Sequence, residues 1–299
     1  MGERTPVVIE AALNGGRSPA EHPAIPVTPE DVATEARRCA SAGATVFHVH
    51  PPPGAKEARA VFIWSQSTVR LIRDAVPGAI VSLTSLRPAG EPVHAVVALL
   101  DRLAAANALP DLISVNLGHI VAWSPGTGET GRRTDHFPNS HADIVSLFVA
   151  CRRHQVTPEF GVMDLGFVSN AVALRNDGEL GAWSWFLIEL DSAAFGAGRQ
   201  VAPSTVGAYQ ALVAPLREHF PDASWAAHGV DEPGFTVVRR ALTDGGHVRV
   251  GFEDALCLPD GSRPRGNADL VTWAVAEARA VGREPASPAA AREIIGLAP

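Results

Sequence analysis

The amino-acid sequence predicts an α/β fold, a single (β/α)8 TIM barrel with an extra C-terminal helix. Short apolar runs rich in Val, Ile and Leu alternate with amphipathic stretches along the chain. Paired in order, the apolar runs and the amphipathic stretches make up eight strand–helix units in 299 residues. One α/β barrel occupies roughly 250 residues or more. No composition shift or low-complexity linker interrupts the pattern, so residues 1–299 are expected to form one domain.

The predicted strands are continuous apolar segments, which is typical of parallel strands covered by helices. They lie at residues 7–9, 45–50, 79–83, 112–115, 157–162, 184–190, 224–227 and 247–250. A doubly wound open sheet is the competing architecture, because periodicity does not distinguish an open sheet from a closed one. The number of strand–helix units favours the barrel.

The first predicted helix has the clearest boundaries. Thr28 is a suitable N-cap, Pro29 suits the first turn, Asp31 lies three residues after the cap, and Gly43 suits the C-terminus. Further helical patterns lie near 66–76, 91–106, 141–154, 167–176, 204–218, 234–243 and 267–281, and the extra C-terminal helix lies within 287–297.

Composition excludes several classes of function. The net charge of −7 and the scattered arginines argue against a nucleic-acid partner. Lys56 is the one lysine and lies in a Pro/Gly-rich loop, so a buried Schiff-base lysine is excluded. Cys39, Cys151 and Cys257 form no C-x-x-C pair, which argues against disulfides and thiolate zinc sites. With no signal-like N-terminus and no long apolar run, we expect a soluble cytoplasmic protein without a membrane partner.

Two histidines close the second predicted strand. His48 and His50 are two residues apart, so their side chains lie on the same face. They stand at the carboxyl end of the strand, where barrel enzymes build their active sites. Two imidazoles that project together there predict a metal site. The alternative is that one histidine belongs to the core and the other to a loop.

Charged residues mark the end of the eighth predicted strand. Arg249 lies within this strand, and Glu253 and Asp254 follow it at the same rim as the histidines. Two acids and an arginine so close together are costly to bury unless they act on something. Either acid could supply the third protein ligand of a catalytic metal. A structural salt bridge at the rim is the alternative.

Other strand ends carry polar residues that are consistent with a ligand pocket. These residues are Thr84, Ser85, Ser114, Asn116, Glu159 and Asp164. His228, at the end of the seventh predicted strand, fits a pocket wall and a structural role equally well.

Several of these segments also match a known pattern. They are EAALNG at 10–15, HPAIPVTPE at 22–30, HVH at 48–50 and GGHVRVGFED at 245–254. Together they resemble the β-keto acid cleavage enzymes, the BKACE family. The resemblance continues through GREP at 282–285 and PAAARE at 288–293, so it covers the whole chain.

The resemblance implies a TIM barrel, usually a homotetramer, with a zinc ion held by His48, His50 and Glu253. It implies that a β-keto acid condenses with acetyl-CoA as co-substrate. The products are acetoacetate and a new CoA thioester, formed through an enolate and a retro-Claisen cleavage. Imidazole and carboxylate ligands also suit cobalt, nickel or manganese, so other divalent metals are possible.

The resemblance also assigns roles to other residues. Asp254 matches the general base of the family, and Arg249 matches the arginine that pairs with it. The expected substrate-binding residues are Thr84, Ser85, Ser114, Asn116, Asp164 and Arg17.

Two departures from the family pattern concern the substrate. Leu86 and Arg87 replace a glycine pair that often follows the third strand, so the backbone there is expected to differ. Arg17 stands where members with amino substrates carry an acidic residue. Because arginine suits an anion, we expect the variable end of the substrate to be anionic or neutral. The alternative is that Arg17 faces solvent or the phosphates of CoA.

Two other functions stay open at this point. One is a zinc-dependent hydrolase of the amidohydrolase type, which would carry H-x-H on its first strand and histidines on strands five and six. The other is a non-catalytic metal-binding protein, which would not need Arg249, Glu253 and Asp254 together.

Overall fold

The computed structural model describes residues 5–55, 57–87, 91–125, 132–191 and 201–297. Lys56 lies outside these ranges. None of the helices in the described ranges combines the length and apolar character needed to cross a bilayer.

Within the described ranges, eight parallel strands close into a barrel, which confirms the predicted fold class. In chain order the strands are β1 (Ile9–Ala12), β2 (Val46–Val49), β3 (Ile80–Leu83), β4 (Leu112–Asn116), β5 (Ile120–Pro125), β6 (Arg132–Phe137), β7 (Thr157–Val162), β8 (Trp185–Leu190), β9 (Ser224–Gly229) and β10 (His247–Val250). Strands β5 and β6 form a separate antiparallel hairpin. The other eight pair with their neighbours in sequence, and β1 pairs with β10 to close the barrel.

The helices cover the outside of the barrel. They are α1 (Pro29–Ala42), α2 (Ala58–Ala75), α3 (His94–Ala105), α4 (His141–His154), α5 (Leu165–Asn176), α6 (Val206–His219), α7 (Asp231–Thr243), α8 (Asn267–Ala280) and α9 (Pro288–Ile295). Helices α1 to α8 each follow a barrel strand, with the hairpin of β5 and β6 between β4 and α4, and α9 is the additional C-terminal helix that the sequence predicts.

The start of α1 shows how local sequence fixes an element. The Thr28 hydroxyl accepts a hydrogen bond from the Asp31 amide at 3.1 Å, and the Asp31 carboxylate accepts one from the Thr28 amide at 3.4 Å. This reciprocal pair satisfies two amides that the helix itself leaves free. Gly43 ends the helix with φ 119°, a backbone conformation that favours glycine.

The structure differs most from the sequence prediction in three places. The first barrel strand is Ile9–Ala12 rather than 7–9, because its pairing with β10 begins only at Ile9 and Val248. Helix α2 begins at Ala58 rather than 66; its cap, Glu57, makes no side-chain capping bond that would mark the start. The hairpin of β5 and β6 was not predicted, because β6, with the sequence RRTDHF, lacks an apolar pattern.

The amino-terminal end of the barrel is closed by apolar side chains. Val46, Ile80 and Leu112, each the first residue of its strand, pack in one cluster with Ile295 of α9. Each fully buried aliphatic side chain stabilises the fold by about 1.5–3 kcal/mol. The carboxyl ends of the strands, where polar side chains are concentrated, therefore form the open end of the barrel.

Candidate active site

His48 and His50 lie together at the carboxyl end of β2, as their spacing predicts. Their Nε2 atoms are 3.0 Å apart. Glu253, which follows β10, approaches the pair with Oε1 3.3 Å from His50 Nε2 and Oε2 3.7 Å from His48 Nε2. One ligand atom from each of the three residues lies within 4.8 Å of the others. The structure thus brings together the three metal ligands that the family resemblance implies.

Two glycines allow Glu253 to reach the histidines. Gly251 turns the chain after β10 with φ 158°, and a Cβ there would lie 2.1 Å from the carbonyl oxygen of Ala12. Gly15 has φ 54°, and a Cβ there would lie 2.6 Å from Cγ of Glu253. Larger residues at either position would displace the carboxylate, because neither conformation nor space admits a side chain.

A hydrogen-bond chain orients the ring of His48. Trp185 Nε1 donates to Glu159 Oε1 at 2.8 Å, and the Ser82 hydroxyl donates to Glu159 Oε2 at 3.3 Å. His48 Nδ1 lies 2.9 Å from the Ser82 oxygen. Since Ser82 uses its proton on Glu159, the ring must donate from Nδ1, which leaves the lone pair of Nε2 facing His50 and Glu253.

The electrostatics of this group suit a cation. Burial lowers the pKa of His48 well below its usual value, so the ring is neutral, as a metal ligand must be. Burial raises the pKa of Glu253, but Arg249, together with His50, holds that pKa well below the usual range. The ionised carboxylate keeps Oε2 buried without a hydrogen-bond partner. Two imidazole nitrogens and an unsatisfied carboxylate oxygen form a donor set that fits Zn²⁺ or a related divalent ion.

A second group of potential ligands, Glu10, His48 and Glu159, lies deeper in the barrel. Burial and the Glu159 carboxylate raise the pKa of Glu10 well above its usual value, so Glu10 is neutral. Glu159 already accepts hydrogen bonds from Ser82 and Trp185. These features favour the group with Glu253 as the metal site.

Asp254 lies beside the metal ligands and is held by Arg249. The guanidinium donates from Nη2 to Oδ1 at 2.9 Å and from Nε to Oδ2 at 3.2 Å. The same Nη2 lies 2.7 Å from Glu253 Oε1. Burial raises the pKa of Asp254, but Arg249 and His228 together lower it by more, so the net shift of that pKa is downward. The carboxylate is therefore ionised and able to accept a proton.

The predicted pocket residues on β3 and β4 lie close together. The Ser114 hydroxyl accepts a hydrogen bond from the Ser85 amide at 3.1 Å. The Thr84 hydroxyl accepts one from the Leu86 amide at 2.9 Å. The Ser85 hydroxyl is buried and has no hydrogen-bond partner. An unsatisfied buried hydroxyl at this end of the barrel is available to a substrate oxygen.

Asn116 and Asp164 have different surroundings. Asn116 Oδ1 lies in the space above Gly161, 2.3 Å from the position of a Cβ there. Asp164 caps α5, accepting a hydrogen bond from the Phe167 amide at 3.1 Å. The structure therefore gives the Asp164 carboxylate a structural partner, and its role in substrate binding stays a prediction.

Arg17 lies at the rim beside the metal ligands. Its Nε donates to the carbonyl oxygen of Glu253 at 3.1 Å, and Nη1 lies 3.3 Å from Glu21 Oε1. Arg87 instead joins two loops, donating from Nε to the Glu91 carbonyl at 3.0 Å and from Nη2 to the Pro138 carbonyl.

Sequence reasoning missed three polar residues of the barrel interior. They are Glu10 on β1, Ser82 on β3 and Glu189 on β8. For Glu10 and Glu189 the available signal was an acidic residue within an apolar strand, as in IEAA of β1 and WFLIEL of β8. Because a buried carboxylate is costly without partners, such residues indicate a polar network.

Comparisons with known proteins identify the family and support the fold. The family model "beta-keto acid cleavage enzyme" matches residues 6–297. The 3-keto-5-aminohexanoate cleavage enzyme of Fusobacterium nucleatum is 28% identical, over 97% of this chain and 98% of that protein. The 3-oxoadipate:acetyl-CoA acetyltransferase of Cupriavidus necator is 26% identical, over 98% of this chain and 95% of that protein.

Among solved structures, a binary complex of ObcA with oxaloacetate has a similar fold. The TM-score is 0.72 at 20% identity, over 93% of this chain and 68% of that chain. This structural similarity supports the barrel fold. The family assignment rests on the family model, which extends over nearly the whole sequence. The chain belongs to the β-keto acid cleavage enzyme family.

Proposed function

We propose that this protein is a metal-dependent enzyme that condenses a β-keto acid with acetyl-CoA, giving acetoacetate and a new acyl-CoA. The observation that carries the proposal is the arrangement of Asp254 and Glu253 around one atom of Arg249. Nη2 lies 2.9 Å from the Asp254 carboxylate and 2.7 Å from the Glu253 carboxylate. A candidate base and a candidate metal ligand are thus fixed side by side.

His48, His50 and Glu253 would hold the divalent ion, most simply Zn²⁺. When bound, the ion would act as a Lewis acid on the keto oxygen, which acidifies the carbon between the keto group and the carboxylate. The ionised state of Glu253 and the neutral state of His48 both favour binding of a cation.

Asp254 would accept the proton from that carbon. Arg249 keeps the Asp254 carboxylate ionised, and for the same reason makes it a weak base. A weak base suffices only when the carbon acid is itself acidified, so the base needs a neighbouring electrophilic group. The position of Asp254 next to the three ligands meets that need.

The hydroxyls at the ends of β3 and β4 would bind the keto-acid end of the substrate. Ser85 has an unused buried hydroxyl, and Thr84 and Ser114 keep donor protons after accepting backbone hydrogen bonds. Asn116, the last residue of β4, adds an amide. The use of acetyl-CoA as the second substrate is supported by the name of the Cupriavidus necator relative.

The two other functions have less support. A barrel hydrolase of the amidohydrolase type would need histidines on the fifth and sixth barrel strands, and here β7 and β8 carry none. A non-catalytic metal-binding protein would have no use for the buried pair of Arg249 and Asp254.

The direct test is acetoacetate release from acetyl-CoA and a panel of β-keto acids by purified, metal-loaded protein. We expect turnover with at least one β-keto acid, and loss of turnover in Asp254→Asn. The matched control is Asp269→Asn, which alters an acid that pairs with Arg265 on the surface of α8. Absence of acetoacetate with every acid of the panel would contradict the proposal.

We further propose that residues 1–299 act as one domain, in the cytoplasm, as a homotetramer. The match of the family model to residues 6–297 supports the single domain. The homotetramer is what the family resemblance implies, and the cytoplasmic location stays a prediction from the sequence. Light scattering on the purified protein tests the oligomeric state, and a monomer would contradict it.

A further inference from the structure

Three titratable side chains form a row across the open end of the barrel. Glu189 lies on β8 and His228 on β9, and Asp254 follows β10. Glu189 and His228 are paired residues in the register of β8 and β9, so their side chains stand next to each other on the same face. All three side chains are largely buried, with 16%, 6% and 5% exposure in that order.

His228 contacts Oδ1 of Asp254, whereas Arg249 Nε contacts Oδ2. Its Nδ1 lies 3.1 Å from Asp254 Oδ1, the same oxygen that accepts from Arg249 Nη2 at 2.9 Å. Arg249 Nη2 is itself shared with Glu253 at 2.7 Å. Because Nη2 of Arg249 is shared between two carboxylates, the contact with His228 adds a further constraint on the direction in which Asp254 faces.

Glu189 lies behind His228. Its Oε2 is 3.7 Å from His228 Nε2, so the two ring nitrogens each face a carboxylate. The other oxygen, Oε1, occupies the space above Gly161, where a Cβ would lie 2.3 Å from it. The missing side chain of Gly161 therefore leaves room for Glu189 to extend toward the barrel axis.

We propose that His228 is a positioning residue for the base Asp254, and that Glu189 in turn orients His228. The inference rests on the proposed function, since it assigns Asp254 the role of base. His228 does not touch the substrate in this account. It fixes the Asp254 carboxylate, so that Arg249 remains free to contact Glu253 as well.

The charge of the row agrees with this role. Burial lowers the pKa of His228 and Arg249 lowers it too, but Asp254 and Glu189 together raise that pKa to about 9. The charged groups that face the ring are Glu189, Asp254 and Arg249. An imidazolium carries a proton on both nitrogens, so Nδ1 faces the Asp254 carboxylate at 3.1 Å and Nε2 faces the Glu189 carboxylate at 3.7 Å as ion pairs.

The test compares His228→Ala, His228→Gln and Glu189→Gln with the control Ser224→Ala, at the opposite end of β9. Loss of a charge-assisted contact predicts a decrease in kcat of about 10- to 100-fold in His228→Ala. The KM for the β-keto acid and the bound metal per chain should stay at the wild-type level. His228→Gln should recover part of kcat, because its amide can still donate to Asp254. Ser224→Ala should match the wild type.

Wild-type kcat in His228→Ala would overturn the inference, as would a loss of bound metal that accounts for the lost activity. If His228→Ala does not fold, the His228→Gln and Glu189→Gln variants test the inference. A lower kcat with unchanged KM in Glu189→Gln supports the proposed link from Glu189 through His228 to Asp254, and an unchanged kcat contradicts that link. A crystal structure of His228→Gln or His228→Ala gives a readout that does not depend on turnover. We expect the Asp254 carboxylate to rotate in His228→Ala, and an unmoved carboxylate would contradict the inference. Failure of the proposed function itself would show as an inactive wild type.

Discussion

Arg249 donates two hydrogen bonds to the Asp254 carboxylate, from Nη2 at 2.9 Å and from Nε at 3.2 Å. This planar pairing fixes both oxygens of the carboxylate, which a point charge could not do. The arginine is 3% exposed, so its charge is little screened by water. The geometry holds an ionised carboxylate at the open end of the barrel, directly beside the proposed metal ligands.

Arg249→Lys should keep the positive charge and lose the paired geometry. We expect kcat to fall about 10- to 100-fold, because a lysine replaces two charge-assisted hydrogen bonds with one or none. Steady-state kinetics of acetoacetate release measures the effect. Arg240→Lys is the matched control, since Arg240 contacts both oxygens of Asp244 far from the site. Equal kinetics of Arg249→Lys and wild type would show that the paired geometry is unimportant.

Ser82→Ala should weaken metal binding. Ser82 links His48 Nδ1 to Glu159 and fixes the ring with Nε2 toward the other ligands. Loss of such an outer contact typically costs about 10- to 100-fold in metal affinity. Competition with a chelator of known affinity measures the change. Ser65→Ala, on α2, removes a buried hydroxyl that has no hydrogen-bond partner and should leave the affinity unchanged. An unaltered metal affinity in Ser82→Ala would contradict the role of Ser82 in orienting the His48 ring.

Arg17→Glu should change which β-keto acid is preferred. Arg17 lies at the rim, bound to the Glu253 carbonyl and paired with Glu21. We expect the wild type to prefer a β-keto dicarboxylate over an amino-β-keto acid, and Arg17→Glu to reduce that preference by about 10-fold through loss of a charged contact. Glu21→Gln should leave the preference for the dicarboxylate intact or increase it, because it removes the competing anion. A wild type that prefers the amino-β-keto acid to the β-keto dicarboxylate would contradict this prediction.

His247 should make stability depend on pH. Its Nδ1 accepts a hydrogen bond from the Val8 amide at 3.0 Å, and burial, with Arg283, lowers its pKa from 6.5 to about 3. The unfolded chain therefore binds more protons below pH 6.5, and the stabilisation present above that pH is lost as the pH falls toward 3.

The measurement is urea unfolding of metal-free wild type and His247→Gln. The difference in their free energies of unfolding should shrink by about 2 kcal/mol between roughly pH 7.5 and 5, given about 1.4 kcal/mol per pH unit for one proton. Titration of the other histidines cancels in the comparison. A difference that does not vary with pH would contradict the neutral state of His247.

The barrel was predictable because its strands are continuous apolar runs whose pattern survives without tertiary context. His48 and His50 could be placed on one face from their spacing alone. The approach of Glu253 to these histidines depends on closure of β10 against β1, and only the family resemblance implied it. Residues such as Glu10 and Glu189 were missed because the cost of a buried carboxylate depends on partners from other strands. The neighbours of His228 likewise follow from strand register, which the sequence of β9 does not contain.

The central claim is that Asp254 removes the proton next to the keto group. It is tested most directly by incubating a β-keto acid substrate with metal-loaded protein in D₂O, without acetyl-CoA, and following deuterium uptake at that carbon by ¹H NMR. General-base catalysis typically contributes about 10²- to 10⁴-fold, so wild type should exchange the proton well above the protein-free rate. Asp254→Asn should exchange the proton about 10²- to 10⁴-fold more slowly than wild type while retaining its metal. Exchange at the wild-type rate in Asp254→Asn would contradict the claim.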